Sequence, residues 1–277
     1  MIAFEKSEVI HMTRKVILIT GCSSGVGKAI CKELDRSKYY IVATARKIGD
    51  LKEVPADLRL QLDVSKEDSI AQAMEKIKTE IGRIDILVNN AGFSIRSAME
   101  EYDICQMKQM YDVNVLGSVR MIQAVLPYMR KQKCGKILNI GSISGRMTGI
   151  VNGGYCSTKY AVEAITEATR YEVADKGIQV SVIEPGAMET DFFKTLAKNS
   201  DAFMMNTNSP YFDLYQRDLA FRKKQKRAPI EVCATQIVRI IEKPKLKVRY
   251  TIAVSWMYQL FTRMPDGLKE FIIKRVN

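Results

Sequence analysis

Short apolar runs alternate along most of the chain with stretches whose apolar residues recur every three or four positions. Val16 to Ile19, Tyr40 to Ala45, Leu58 to Leu62, Ile84 to Val88, Lys136 to Ile140 and Gln179 to Ile183 read as strands buried on both faces, the pattern of a parallel sheet covered by helices. The segments between them read as amphipathic helices. Ala29, Ile30, Glu33 and Leu34 mark the first; Ile70, Ala73, Met74, Ile77 and Ile81 give the second its apolar stripe, with Ser65 as its expected N-cap. A long helical region starts near Met99 and carries Pro127 towards its middle or end, and another runs from Tyr155 to about Lys176, where Gly177 is a natural terminator. Strand and helix alternate six times, which predicts an α/β fold with a single doubly wound parallel sheet rather than two domains.

The rhythm breaks in three places. Residues 1–13 show no period, and Met12 directly before Thr13-Arg14-Lys15 reads as the natural start, with a poorly ordered extension upstream of it. Residues 191–228 mix Phe192, Phe193, Leu196, Phe203, Met204, Tyr211 and Tyr215 with polar residues. A segment of that length inside a domain reads either as an apolar lid over a binding cleft or as core helices without ligand contact. Its end, Arg222 to Arg227, reads as a basic, solvated turn. After a helix over Ile230 to Ile241 and a last strand over Arg249 to Val254, residues 255–277 form an amphipathic tail. Trp256, Met257, Leu260, Phe261 and Met264, then Leu268, Phe271, Ile272 and Val276, fall at helical spacings around Pro265-Asp266-Gly267. Packing on the protein is expected of this stripe, with docking on an anionic membrane as the alternative.

Composition narrows the chemistry. Hydrophobic residues make up 47% of the chain, enough for a large core. The longest uncharged run, Tyr250 to Thr262, falls short of the roughly 20 apolar residues that cross a bilayer, so a cytoplasmic protein is expected. The six cysteines show no Cys-x-x-Cys spacing, which suggests neither a disulfide framework nor a zinc site. The single histidine, His11, lies before the first strand, so a Ser-His-Asp hydrolase and a histidine-ligated metal are set aside, and no metal site is expected. A formal charge of +12 is compatible with nucleic acid, an anionic surface or phosphate-bearing small molecules; the cations are scattered, which favours plain solubilisation over nucleic-acid binding.

Candidate chemistry gathers where the strands end. The first strand runs into Thr20-Gly21-Cys22-Ser23-Ser24-Gly25-Val26-Gly27 and then a helix, an arrangement that lets backbone approach a pyrophosphate at a helix N-terminus. The second ends at Arg46, where a guanidinium would pair with the 2'-phosphate of NADP, unless Arg46 is merely a solvated loop residue. Asp63 and Val64 close the third, with the carboxylate placed to accept from an adenine amino group, and Asn89-Asn90-Ala91-Gly92 follows the fourth with small residues suited to a flat ligand. Asn114, in the middle of a helix, needs a reason to be there. The fifth strand delivers Ser142, and Tyr155-Cys156-Ser157-Thr158-Lys159 places a phenol and an ammonium one helical turn apart. The lysine is expected to move the phenol's pKa from about 10 towards the working range, whereas a lone Tyr-x-x-x-Lys is more often a solvated helix face. Pro185-Gly186-Ala187-Met188-Glu189-Thr190 is a rigid turn at the sheet rim.

In this order and spacing, Thr20-Gly21-x-x-x-Gly25-x-Gly27, Asn89 to Gly92, Asn114, Ser142, Tyr155-x-x-x-Lys159 and Pro185 to Thr190 resemble the short-chain dehydrogenase/reductase family, from roughly Arg14 to Val254. Gly-Cys-Ser-Ser-Gly, Ala-Thr-Ala-Arg and Tyr-Cys-Ser-Thr-Lys look most like its hydroxysteroid and retinol dehydrogenase branch. The resemblance implies a Rossmann fold and an oxidoreductase acting on lipophilic ketones and alcohols, with NADP preferred over NAD. It implies a catalytic set of Asn114, Ser142, Tyr155 and Lys159, in which Tyr155 exchanges a proton with the substrate oxygen, Ser142 holds the carbonyl and Asn114 positions a relay water. Gly21, Ser23, Ser24, Gly25, Val26, Arg46, Asp63, Val64, Asn90, Ala91 and Gly92 would bind the adenosine and phosphates. Tyr155, Lys159, Pro185, Gly186, Met188 and Thr190 would hold the nicotinamide side. Surfaces beside the last strand often join subunits in this family, so the tail is expected to cover one tetramer interface and leave a homodimer. Two other readings share the motifs, a beta-ketoacyl carrier-protein reductase and a dinucleotide sensor without catalysis. The first usually ends soon after its last strand, and the second is disfavoured by the full catalytic set.

Overall fold

The computed structural model describes residues 13–190, Leu196, Ser200 and 203–276. Seven parallel strands form one sheet in the order β3-β2-β1-β4-β5-β6-β7. They are β1 (Lys15–Ile19), β2 (Tyr39–Ala45), β3 (Leu58–Gln61), β4 (Ile86–Asn89), β5 (Gly135–Ile140), β6 (Ile178–Pro185) and β7 (Arg249–Ile252). The helices are α1 (Gly25–Glu33), α2 (Glu67–Glu80), α3 (Ile104–Tyr111), α4 (Gly117–Gln132), α5 (Gly153–Glu172), α6 (Phe212–Lys224), α7 (Ile230–Glu242), α8 (Trp256–Arg263) and α9 (Asp266–Val276). This is the doubly wound Rossmann arrangement expected from the sequence.

Alternation along β1 shows how two cores are built from one strand. Ile17 and Ile19 enter one core with Ile30 and Cys31 of α1 and Cys233, Ile237 and Ile241 of α7. Val16 and Leu18 enter the other, with Ile70 and Ile77 of α2 and Met121, Val125 and Met129 of α4. Each such side chain fully removed from water contributes roughly 1.5–3 kcal/mol, so the central strands anchor both layers. Because β2 and β3 lie on one side of β1 and β4 on the other, the chain reverses its winding direction there and opens a crevice at the carboxyl ends of β1 and β4.

Local chemistry departs from the sequence reading at several points. Ser65 does not cap α2, which starts at Glu67 after Lys66 with no side-chain cap. Instead the Ser65 N–H and hydroxyl both donate to Asp63 Oδ1, at 3.0 and 2.7 Å, closing a turn on the aspartate itself. The helical region after Met99 is a 3-10 turn over Met99–Glu101 and then α3, whose N-cap Asp103 accepts from Cys105 N–H at 2.8 Å. A π turn, Asp112–Leu116, separates α3 from α4, and Pro127 lies inside α4. Arg222 is no solvated turn residue: it is 7% exposed within α6 and donates to Asp218 Oδ2 at 2.8 Å.

The reading of residues 1–13 as a disordered extension falls, up to Met12, outside the described residues, as do 191–195, 197–199 and 201–202 of the lid reading. The described part of that segment packs firmly: Met204 and Tyr215 share a small core with Ala98 and Val151. The Tyr215 hydroxyl donates to Glu101 Oε2 at 2.6 Å and accepts from Ala98 N–H at 3.0 Å. The tail helices α8 and α9 form, but their stripe is only partly covered: Phe261, Met264 and Ile272 are half-buried, while Trp256, Met257, Leu260, Leu268 and Phe271 remain exposed, Trp256 at 72%.

Candidate active site

The glycine loop is shaped by contacts that leave no room for side chains. Gly21 adopts φ +71, and a Cβ there would lie 2.9 Å from Ala91 Cα. The loop after β4 clamps it: Asn90 Nδ2 donates to the Thr20 and Gly21 carbonyls, both at 2.9 Å, and the Asn90 and Ala91 N–H groups donate to Thr20 Oγ1, both at 3.0 Å. Ser24 precedes α1 without making a side-chain cap, and no acidic residue occupies the first turn, so this positive helix end faces the crevice without an internal anion. Lys28, Lys32, Lys223, Lys226 and Arg227 line an open cleft beside it, outnumbering Glu33, Glu189 and Glu231 on the same walls. These features fit a pyrophosphate.

At the other end of the crevice, α5 carries Tyr155 and Lys159 on one face. Lys159 Nζ donates to the Ile140 carbonyl at 2.7 Å and lies 5.8 Å from the centroid of the Tyr155 ring. Lys159 is buried, which pulls its pKa down to about 8 against the pull of Glu163 in the other direction. Ser142 caps a short 3-10 turn, Ile143–Gly145, by accepting from Ser144 N–H at 3.1 Å, and its hydroxyl is hydrogen-bonded to Tyr155. The sequence expects Lys159 to bring the phenol's pKa down, but the balance is different. Burial raises the Tyr155 pKa well above its ordinary value, outweighing the Ser142 hydrogen bond and the nearby Arg96 charge, which lower it. The phenol is therefore protonated at neutral pH and has a proton to give.

Asn114 sits on the π turn, and both donors of its amide are taken. Oδ1 accepts from Phe93 N–H at 3.0 Å, while Nδ2 donates to the Phe93 carbonyl at 2.9 Å and to Thr158 Oγ1 at 3.2 Å. It stitches the loop after β4 to α5, and it does not line the cavity. Behind it, Asn89 Nδ2 donates to Asn139 Oδ1 at 2.9 Å and Asn139 Nδ2 to Thr166 Oγ1 at 2.8 Å, tying β4, β5 and α5 together inside the protein. Two residues before α5, Val151 is held at φ 47, a costly conformation for a β-branched residue, with its carbonyl accepting from Ser97 N–H at 3.1 Å.

One cavity of about 370 Å³ brings together Gly21, Ser23, Ser24, Gly25, Val26, Arg46, Asp63, Val64, Asn90, Ala91, Gly92, Ser142, Tyr155, Lys159, Pro185, Gly186, Met188 and Thr190. Arg46 is exposed at the end of β2, beside Asp63. Gly186 lies so close to Ala253 that a Cβ would overlap its carbonyl oxygen, which ties the turn after β6 to β7. Sequence reasoning missed Phe93, Arg96, Asn152 and Gln225, which also line the cavity; Leu196, named in the lid reading, lines it too. Arg96 had no local signal, since its partner Asp218 is far along the chain.

A family model described as short chain dehydrogenase matches residues 15–201. The chain is 38% identical over 276 residues to a 3-ketodihydrosphingosine reductase of Bacteroides thetaiotaomicron, covering 95% of this chain and 98% of that protein. It is 34% identical to human 17-beta-hydroxysteroid dehydrogenase type 1 over 273 residues, covering 92% of this chain and 82% of that one. A solved short-chain dehydrogenase from Streptomyces avermitilis superposes with a TM-score of 0.76 at 26% identity, over 95% of this chain and 94% of the other. With the same fold, and a glycine loop, serine, tyrosine and lysine gathered around one crevice, this chain belongs to the short-chain dehydrogenase family and is an oxidoreductase that uses a nicotinamide cofactor.

Proposed function

We propose that this protein is an NADPH-preferring reductase of lipophilic ketones, in which Tyr155 is the general acid. The observation that carries the proposal is a phenol held protonated by burial, hydrogen-bonded to Ser142 and one turn from Lys159, in the cavity whose far end carries Arg46. The reduced nicotinamide supplies the hydride when bound. Ser142 then orients the carbonyl oxygen towards Tyr155, which donates its proton as negative charge develops there, and the Lys159 ammonium stabilises the phenolate left behind. Run backwards, the same groups oxidise the alcohol. Arg46 offers a planar donor fork to a 2'-phosphate, and no carboxylate stands in its place at the end of β2 to repel one. The relatives that match nearly the whole chain are named for a keto lipid and for hydroxysteroids, and this favours a lipophilic substrate.

Two variants test the reading. Tyr155→Phe is expected to bind NADPH as the wild type does while losing about a hundred-fold or more in turnover of a ketosteroid or medium-chain ketone. Arg46→Ala is expected to weaken NADPH binding by about one to two powers of ten, the contribution of a charge-assisted hydrogen bond, with little change for NADH. A Tyr155→Phe protein that keeps most of its turnover, or a wild type that prefers NADH, overturns the corresponding half of the proposal.

A further inference from the structure

Arg96 is the cation of this cavity that the hydride-transfer chemistry leaves without a task. It follows Phe93 and Ser94 on the loop after β4, lines the cavity with them, and its side chain is only 16% exposed. Arg96 Nη1 donates to Asp218 Oδ1 at 2.7 Å, and the other oxygen of Asp218 accepts from Arg222 Nε at 2.8 Å. Among the described residues, one buried carboxylate thus serves two buried guanidiniums, which leaves one positive charge in excess within that group. The Arg96 charge is also felt at the Tyr155 phenol, so it lies at the reacting end of the cavity and not at the Arg46 end. A cavity-lining cation whose partner carboxylate is shared with a second guanidinium is better satisfied when an anion arrives beside it.

We infer that Arg96 is a specificity-determining residue that receives an anionic, hydrogen-bond-accepting group of the carboxylate class, carried by the substrate close to its reacting carbonyl. The inference rests on the ketone-reductase reading and narrows its substrate class, from any lipophilic ketone to an apolar chain or ring bearing a β-keto acid. Asp218 and Arg222 are positioning residues: Arg222 takes up half of the carboxylate, so that Asp218 fixes Arg96 without neutralising it completely.

The test is a matched set of medium-chain substrates: a 3-oxo acid, its methyl ester, the corresponding methyl ketone and an amino ketone of the same length, each with saturating NADPH. The 3-oxo acid is expected to have a KM about ten-fold or more below that of the ester, the range for a hydrogen bond to a charged group. Arg96→Met is expected to erase that KM difference between the acid and the ester, while Arg96→Lys restores part of it. The Met variant keeps Asp218 paired with Arg222, so unfolding temperature and NADPH affinity serve as checks of intact structure. Wild-type enzyme that reduces the neutral ketones but shows no preference for the acid, or that prefers the amino ketone, overturns the inference and leaves the ketone-reductase reading standing. An equal fall in kcat for all four substrates in Arg96→Met with the KM preference for the acid retained also overturns it, since Arg96 would then be serving Tyr155 alone. No turnover of any ketone overturns both.

Discussion

Lys159 is an ammonium kept almost entirely from water, with the Ile140 carbonyl as its hydrogen-bond partner and Glu163 as the carboxylate pulling its pKa upward. Its pKa in the folded protein, about 8, is below the value of 10.5 that it has in an open chain, so the charged form is destabilised by folding. Below pH 8 both states hold the proton and the full penalty applies, on the order of 3 kcal/mol at about 1.4 kcal/mol per unit. Between pH 8 and 10.5 the folded state sheds the proton first, so the penalty fades as pH rises. Lys159→Met is therefore expected to lose nearly all turnover while unfolding at the same or a higher temperature than the wild type at pH 7, with its advantage shrinking towards pH 10.5. Thermal unfolding across that pH range checks it; a variant clearly less stable than the wild type at pH 7 would show that lost contacts outweigh the relieved charge. Such a residue is legible as chemistry in Tyr155-x-x-x-Lys159, but its energetics are not. Whether a lysine lowers a neighbouring phenol's pKa, or burial raises it, depends on Ile140 and Ser142, which reach the site from a different strand.

At the scale of elements, Gly27 shows how a motif can be read correctly and for the wrong reason. A Cβ on Gly27 would stand 2.6 Å from both Asn90 Nδ2 and the Gly21 carbonyl oxygen, so this position seats α1 on the clamp that shapes the phosphate loop. Gly27→Ala must push one of these groups away, at a cost of about 1–3 kcal/mol typical of overpacking. It is expected to lower the unfolding temperature and weaken NADPH binding at least about ten-fold through loss of the Asn90 bonds, whereas Gly49→Ala, with nothing within 4 Å, is expected to change neither. Cofactor titration of both variants checks this; a Gly27→Ala protein with unaltered affinity would mean that the loop does not depend on the clamp. The strands were legible because both their faces are buried and their runs are therefore continuous. The π turn at Asn114 was not, because one extra residue in a helix leaves no periodic trace, and only the unusual asparagine hinted at it. Ser65 misled because a serine before an acidic turn looks the same whether it caps a helix or closes a turn on Asp63.

For the molecule as a whole, the tail is where composition promised one thing and packing delivered another. An apolar stripe at helical spacing usually buries against its own domain, yet Trp256, Met257, Leu260, Leu268 and Phe271 face outwards. We propose that the tail covers one tetramer interface beside the last strand and leaves a homodimer. Truncation after Ser255 is expected to leave the sheet, NADPH binding and turnover intact while opening that interface and raising the oligomeric mass measured by light scattering. An unchanged mass together with lost binding to anionic vesicles would assign the tail to a membrane surface instead. The position of these helices at the end of the amphipathic pattern could be read from sequence, but what lies against them could not, since periodicity reports that a face is apolar and not what covers it.

The position of β1 between β2 and β4 also has a bearing on synthesis. The cavity lining from Gly21 to Gly92, with the glycine loop and Arg46, leaves the ribosome before Ser142, Tyr155 and Lys159, so the site is made in two instalments. Once β4 has joined β1, its other edge waits for β5, about 45 residues later, or roughly 2 to 9 seconds at about 5–20 residues per second. During that interval Ile86, Leu87 and Val88 offer an apolar, unpaired strand edge to whatever is nearby. Slow translation through residues 90–134 would lengthen that exposure, and the yield of soluble enzyme should respond to codon choice there more than in the stretch after β6.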